Sequence, residues 1–288
     1  MIEQKVTVIM TSWKNSDFTL SALWSIFRYY PDIQVIITDG SDAMEFQKLT
    51  ERLSLHYPNE WTKNLHAMLL PHAPTEDCRN AAATLATTPY ILFMDNDTKI
   101  LSRAPIPMLL EPFEIYANCV QSGAYGFVCL DRENRLSVVG KSFPEHIQLS
   151  ASPAYFSLHL TAAYRDVGGM PKQFYYDVPK SLWQDSKGET IWQPGWSGDF
   201  TITDLYHKFG LVCVSPRHQV PVLHWGQTNR YINQKRTVED YWYEHVRHIT
   251  TEPFTKFCIE DRMKEMEIDG NFESLFPVQP RFAAEDDI

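Results

Sequence analysis

The sequence contains few cysteines, and their spacing excludes two common kinds of site. There are 5 cysteines among 288 residues, an odd number. No two of them are spaced as Cys-x-x-Cys, so the pattern indicates neither a zinc knuckle nor a framework of disulfide bonds. This use of cysteine predicts a protein of the reducing cytoplasm.

Long apolar runs and an excess of basic residues are also missing. No run approaches the roughly 20 apolar residues that a membrane-spanning helix requires. The 26 basic residues are outnumbered by 36 acidic ones, which gives a formal net charge of -10. Such a charge repels the phosphate backbone of nucleic acids and anionic lipid head groups. We therefore expect a soluble, cytoplasmic protein with no transmembrane segment and no nucleic-acid partner.

The first third of the sequence alternates strand-like with helix-like segments. Segments 6–12 (VTVIMTS) and 33–38 (IQVIIT) are β-branched runs of strand length, and the residues between them have helical spacing. Further helices are predicted over 42–57 and from Thr75, each followed by a strand, the second being YILFM. Because strands that alternate with helices form parallel sheets, we predict an α/β fold with a mostly parallel central sheet and helices on both faces.

The pattern changes near residue 120. Two hairpin-like strands (GAYGFVCLD and LSVVGKSF) follow, and then irregular sequence rich in Pro, Trp and Gly. We predict three parts: a first half over 1–120, a second half of the same domain over 121–235, and a helix and tail over 236–288 that could form a lid.

Two carboxylates follow the strand YILFM directly, in the stretch YILFMDNDTKI. Asp95 and Asp97 are separated by one residue, so both can reach one hard divalent cation. The alternative is that Asp95 and Asn96 only cap a turn. Polar residues also follow the first and second strands, and the ends of parallel strands meet at one edge of a sheet, where ligands bind.

Several motifs in order resemble family 2 glycosyltransferases of the GT-A fold. They are VIMTSWKNSD, VIITDGSD, EDCRNAAATLATTPYILFMDND, and later GGMPKQF followed by GDFTITDLYHKFG. The match is good over residues 5–100 and looser over 160–225. The resemblance implies a nucleotide-sugar-binding half over 1–120 and an acceptor-binding, catalytic half over 121–235.

The resemblance also implies roles for individual residues on the donor side. Thr11 and Trp13 would line the nucleobase pocket, with the Trp13 ring as a flat face for uracil. The alternative for Trp13 is a core aromatic, but its polar neighbours favour a position at the rim of the pocket. Asp39 would accept a hydrogen bond from the base or ribose. Arg79 would contact the base or diphosphate at a helix start, with a surface ion pair as its alternative. Asp95 would reach the ribose or the metal.

A metal site is implied at the same edge. Asp97 would bind Mn²⁺ or Mg²⁺ directly, with Asp95 beside it, and the metal would hold the diphosphate of UDP. His224, in VLHWGQT, resembles a third ligand found after the last core strand of many GT-A enzymes, although a structural histidine is equally common.

Asp199 resembles the catalytic base of the family, which takes the proton from the attacking acceptor hydroxyl. The family usually has Glu-Asp at this place, whereas this chain has Gly198 and Asp199, so Asp199 could instead cap its helix. Asp204 and Asp185 are substitutes. In-line attack assisted by such a base inverts the anomeric centre.

Tryptophans crowd the stretch before Asp199. Trp192 and Trp196 could form a platform for an acceptor sugar, or a small aromatic core under an irregular loop. The leading interpretation is an inverting, metal-dependent transfer of a sugar from a UDP-sugar to a glycan or other hydroxyl acceptor. The alternatives are a nucleotidyltransferase that makes sugar nucleotides, and a non-catalytic binding protein of the same fold.

Overall fold

A computed structural model describes most of the first 224 residues. The described ranges are 1–14, 16–124, 126–130, 136–140, 145–146, 148–149, 155–170, 198–217 and 220–224. In 126–130, 136–140 and 198–201, and at positions 204 and 223, the description is limited to the backbone. The predictions for Trp192, Trp196, Asp185 and the segment 236–288 lie outside the described residues.

Strands and helices alternate along the first part of the chain, as predicted. After a short 3-10 helix (Ile2–Gln4), the strands are β1 (Val6–Ser12), β2 (Gln34–Asp39), β3 (Leu65–Leu69), β4 (Tyr90–Asp95), β5 (Thr98–Ile100), β6 (Cys119–Gly123), β7 (Gly126–Leu130), β8 (Leu136–Gly140), β9 (Gln148–Leu149), β10 (Phe156–Leu160), β11 (Val212–Val214) and β12 (Val222–His224). The helices are α1 (Ser16–Tyr29), α2 (Ala43–His56), α3 (Pro58–Lys63), α4 (Thr75–Leu85), α5 (Pro105–Ile115), α6 (Thr161–Asp166) and α7 (Gly198–Lys208).

Eight of these strands form the central sheet, in the order β3-β2-β1-β4-β10-β6-β11-β9. Strands β1 to β4 are parallel to one another. Strand β10 runs antiparallel between β4 and β6, and β9 is antiparallel to β11. The prediction of a mostly parallel sheet is confirmed, and β10 shows that the second half of the chain contributes a strand to its centre.

Alternating side chains of the inner strands enter two apolar clusters, one on each face of the sheet. In β4, Leu92 belongs to one cluster and Phe93 to the other. Helices α1 and α5 supply Leu23 and Ile106 to the first cluster, whereas α4 and α7 supply Ala82 and Ile202 to the second. A strand buried on both faces reads as a continuous apolar run, which explains YILFM. Helices therefore cover both faces, as expected.

A second, four-stranded sheet has the order β5-β12-β7-β8. Strands β7 and β8 pair antiparallel, which confirms the predicted hairpin. Strand β12 pairs antiparallel with β5 and places His224 opposite Thr98. The three-part division of the chain stays a prediction. Among the described residues, no helix has the length and apolar character needed to cross a membrane.

Helix α2 allows a matched test of how much the packing against the sheet stabilises the fold. Leu53 is fully buried, whereas Leu55, two residues along, is 75% exposed. We expect Leu53→Ala to lower the free energy of unfolding by about 2–5 kcal/mol, because it leaves a cavity. Leu55→Ala carries the same change in helix propensity and should stay within about 0.5 kcal/mol of wild type. Urea denaturation followed by circular dichroism measures both; equal losses would contradict the described orientation of α2.

Candidate functional site

The predicted polar residues at the strand ends lie side by side. Thr11 in β1 is in register with Thr38 of β2 and with Asp95 of β4. Ser12 is opposite Asp39. Parallel strands in this register bring the loops that follow them to one edge of the sheet, so the carboxylates of β2 and β4 flank the end of β1.

Hydrogen bonds connect the loops after β1 and β2. The backbone N–H of Ser41 donates to Asp39 Oδ1 at 2.7 Å, and the N–H of Lys14 donates to Ser41 Oγ at 2.7 Å. The N–H of Gly40 donates to the Ser12 carbonyl at 3.0 Å. Burial raises the pKa of Asp39, although the hydrogen bonds from Ser41 and Ser12 act against this shift. The result is a fixed, buried acceptor beside β1.

Trp13 lies inside the loop after β1 rather than at its rim. It is only 5% exposed. The Lys14 ammonium lies 5.3 Å from the centroid of its ring, and Lys14 itself has a left-handed backbone with φ of 51°. The Trp13 ring is therefore a packed surface covered by a cation, and the stacking of a base on it stays a prediction.

Asp95, Asp97 and His224 form a cluster at the end of β4. Their ligand atoms all lie within 4.8 Å of one another. His224 Nε2 lies 3.2 Å from Asp97 Oδ1 and 3.8 Å from Asp95 Oδ2. Within the described part of the chain, it is the one group of three His, Cys, Asp or Glu side chains that are close enough to share a metal ion.

His224 is held by stacking and by charge. Its ring stacks on the Tyr155 ring, with centroids 4.6 Å apart and planes 8° from parallel. Burial lowers the pKa of His224, but the charge and hydrogen bond of Asp97, with the charge of Asp95, outweigh it and raise the pKa overall. The carboxylates thus favour a positive charge at this position.

Arg79 is buried against the same cluster. Its side chain is 4% exposed, and Nη2 donates to Asp95 Oδ1 at 2.6 Å. The guanidinium also lies over the Phe93 ring, 5.7 Å from the centroid. This is an ion pair, but it is not the surface pair considered as the alternative, because Arg79 is almost completely enclosed.

The donor set of the cluster fits a divalent cation. Two carboxylates and one imidazole combine the hard oxygen ligands of Mg²⁺ and Mn²⁺ with the nitrogen that Mn²⁺ accepts readily. Arg79 compensates one carboxylate charge and leaves the other for His224 or for an ion. Asp95 and Asp97 are thus more than caps of a turn in this structure.

Comparison with known proteins identifies the family. The model of glycosyl transferase family 2 matches residues 7–155, slightly more than half of the chain. The chain belongs to glycosyl transferase family 2. The match begins in β1 and ends directly before β10, so it contains Asp95 and Asp97 but not His224.

Solved structures similar to this family 2 chain share its fold. The first 349 residues of S. aureus TarS align with a TM-score of 0.53 and 13% identity, over 80% of this chain and 63% of that one. The mannosyltransferase PcManGT from Pyrobaculum calidifontis, in complex with GDP-Man and Mn²⁺, aligns with a TM-score of 0.51 and 14% identity, over 84% and 64%. This chain thus spans under two thirds of either structure. No curated protein sequence matches it significantly.

The likeness confirms the GT-A fold predicted for this family 2 member. The structure brings together four of the residues predicted for the donor side (Thr11, Asp39, Arg79 and Asp95) and the three predicted metal ligands. Asp199 is the second residue of α7, and its backbone alone is described. The roles of all these residues stay predictions.

Two neighbours of the cluster were not predicted from sequence. Tyr155 supports His224, and Asn80 contacts the residues after α6. Asn80 stands next to Arg79 in the third family motif, which is a signal that could have found it. Tyr155 has no such signal, because its position depends on the antiparallel pairing of β10 with β4.

The raised pKa of His224 gives a test of the cluster in metal-free protein. In EDTA, we expect Asp97→Asn to lower the pKa of His224 below its ordinary value, because burial then dominates. A histidine with a raised pKa stabilises the fold at low pH and loses that contribution as pH rises through the folded-state pKa. The stability difference between wild type and Asp97→Asn should therefore shrink on raising the pH. An NMR titration of the imidazole nitrogens measures the pKa; Asp32→Asn, a change at an exposed surface carboxylate, should not move it.

Proposed function

We propose that this family 2 chain is an inverting, metal-dependent glycosyltransferase that moves a sugar from a UDP-sugar to a glycan or other hydroxyl acceptor. The observation that carries the proposal is the cluster of Asp95, Asp97 and His224 at the carboxyl end of β4, beside a buried arginine. This position is where α/β sheets bind ligands, and the cluster has the ligands that a diphosphate-bound cation requires.

Asp97 and His224 would hold Mn²⁺, or Mg²⁺, together with the Asp95 oxygen that faces them. The bound cation would neutralise the diphosphate as the glycosidic bond breaks, which is Lewis-acid assistance to the leaving group. The likeness to PcManGT, a structure that contains GDP-Man and Mn²⁺, supports the choice of a nucleotide sugar and a divalent cation.

The loops after β1 and β2 would bind the nucleoside. Asp39, buried and fixed by Ser41, offers an acceptor for an N–H of the base or a hydroxyl of the ribose, and Thr11 and Trp13 lie beside it. TarS aligns also in its complex with UDP, at a TM-score of 0.50, whereas PcManGT holds a guanosine donor. We prefer uridine because of the resemblance of the motifs, and the choice is open to direct measurement.

Asp199 would accept the proton of the attacking hydroxyl. It lies in the first turn of α7, on a helix whose Ile202 packs against the sheet. Direct attack on the anomeric carbon, assisted by a single base, inverts the configuration of that carbon. The second half of the chain, with Trp192 and Trp196, would contact the acceptor. We propose that the reaction takes place in the cytoplasm.

Nucleotide and metal binding test the donor site. We expect one class of nucleoside diphosphate, UDP rather than GDP, to stabilise the wild type in a thermal-shift assay far more with Mn²⁺ than with EDTA. Ligand at about 100 times its Kd should contribute about 2.7 kcal/mol. Asp97→Asn should abolish the metal-dependent part, because it removes a charged ligand and keeps the size of the side chain.

Asp32→Asn is the matched control, since it makes the same chemical change at an exposed carboxylate. It should keep the metal-dependent shift. Stabilisation that is equally large in EDTA, or a Mn²⁺-dependent part that survives in Asp97→Asn, would show that the cluster does not bind the diphosphate through a metal.

Turnover tests the base. Asp199→Asn should lower the release of UDP from the best-bound UDP-sugar by about 100-fold or more, with the donor Kd unchanged, because base catalysis typically contributes 10²–10⁴-fold. Asp204→Asn, on the same helix, is the comparison. If turnover is lost in Asp204→Asn and kept in Asp199→Asn, the base is Asp204, which lies more than one helical turn further along α7. Donor binding with no release by the wild type, with any glycan offered, would favour the non-catalytic alternative.

A further inference from the structure

A turn of two glycines and a methionine follows helix α6 and packs on the middle of α4. The N–H of Gly168 donates to the Arg165 carbonyl and that of Gly169 to the Tyr164 carbonyl, each at 2.9 Å. Both glycines have left-handed backbones, with φ of 86° and 78°. This is the glycine-dependent ending of a helix, and it directs Met170 back towards the sheet. We call residues 168–170 the GGM turn.

Asn80 of α4 holds the GGM turn with both atoms of its amide group. Its Oδ1 accepts from the Met170 N–H at 2.9 Å and from the Tyr164 hydroxyl at 2.6 Å. Its Nδ2 donates to the Met170 carbonyl at 2.9 Å. Because a side chain bonded at both ends has little freedom to rotate, Asn80 fixes the turn relative to α4.

Arg79, the residue before Asn80, contacts the same turn. Its Nη1 lies 3.9 Å from Met170 Sδ, and Met170 is 1% exposed. The Tyr164 ring packs on the Phe93 ring at 5.1 Å, and Phe93 in turn lies under the guanidinium. Arg79 is therefore enclosed by Met170 on one side and by Phe93, backed by Tyr164, on another.

The position of the guanidinium determines how Asp95 is presented. Nη2 of Arg79 holds Asp95 Oδ1 at 2.6 Å, while Oδ2 faces His224 Nε2 at 3.8 Å. If the guanidinium moved, the carboxylate would rotate with it, and Oδ2 would leave its place beside Asp97 and His224. Groups that orient a ligand in this way typically change metal affinity by about 10–100-fold.

We propose that the GGM turn is a positioning element of the metal site, which acts through Asn80 and Arg79 on the Asp95 carboxylate. The inference rests on the proposed function, because it requires that the cluster bind a cation. It adds Asn80, Gly169 and Met170 to the residues on which donor binding depends, although none of them belongs to the carboxylate cluster. The two halves of the chain are thereby coupled at the donor site.

The two glycines provide a matched pair of variants. An added Cβ at Gly169 would lie 2.4 Å from Asn80 Oδ1, whereas one at Gly168 would have nothing within 4 Å. Alanine at either position carries the strain of a left-handed backbone. Only Gly169→Ala also displaces Asn80, with a second and looser contact at 3.3 Å from Tyr164 Cε1. The difference between the two variants therefore reports these contacts, with Asn80 foremost, and not the strain of the turn.

Binding of UDP, measured by calorimetry with Mn²⁺ and again with EDTA, separates positioning from general damage. We expect Gly169→Ala to weaken Mn²⁺-dependent UDP binding about tenfold relative to Gly168→Ala. The Kd in EDTA should be the same for both. Titration of Mn²⁺ alone, followed by electron paramagnetic resonance, should show weakening in the same order.

Met170→Leu is a second variant that keeps the volume of the core and the backbone hydrogen bonds to Asn80. It removes the sulfur contact to Arg79 and should weaken Mn²⁺-dependent binding, to a smaller degree than Gly169→Ala. This variant maintains the test if Gly169→Ala does not fold.

The outcomes distinguish this inference from the function on which it rests. If Asp97→Asn abolishes Mn²⁺-dependent binding while Gly169→Ala and Met170→Leu bind as well as Gly168→Ala, the positioning role is refuted and the metal site stands. Equal losses with Mn²⁺ and with EDTA would also refute it. A wild type that shows no Mn²⁺-dependent binding would overturn both proposals together.

Discussion

Burial of charge at the end of strand β4 is the constraint around which the site is organised. Arg79 is 4% exposed and Asp97 8% exposed, and buried charges are stable only when they are paired. Asp95 lies between them and has one oxygen towards Arg79 and the other towards His224. Helix α4, which supplies Arg79, must pack on the central sheet, and strand β12, which supplies His224, must pair with β5 before these ion pairs form. The ion pairs of the site therefore form only when β4, α4 and β12, which are distant in sequence, are all packed in place.

Those elements with a clear period were predictable from sequence, whereas the insertion of β10 was not. Runs of β-branched and apolar residues predict strands β1, β2 and β4, and helical spacing of residues predicts helices α1 and α4. Strand β10 is five residues long and contains the buried His159. It pairs with β4 and β6, although the β7–β8 hairpin separates it from both strands in the sequence. Nothing local indicates that partnership. Helix α5 was not predicted, because it contains prolines at 105, 107 and 112 and proline is disfavoured inside a helix.

Within the site, the sequence indicated residue types better than it indicated their contacts. Asp95, Asp97 and His224 were predicted together and lie together. Arg79 was expected to face a ligand or solvent, yet it is enclosed against Asp95, because Phe93 and Met170 cover it. Polar neighbours suggested that Trp13 lies at a rim. The hydrogen bond between Lys14 and Ser41 folds this loop inward, and such a bond between two loops has no signature in either loop alone.

The pairing of β12 with β5 has a consequence for the order in which the protein matures. Asp97 and Thr98 lie within the family match, whereas His224 lies outside it and reaches them only through a contact of long sequence separation. Contacts of this kind form slowly, and a domain generally folds as a unit. The residues of β1 to β4, and both aspartates, are synthesised well before the histidine. During that interval the two carboxylates are without their imidazole, and the three-residue cluster is therefore one of the last parts of the described fold that the growing chain can complete.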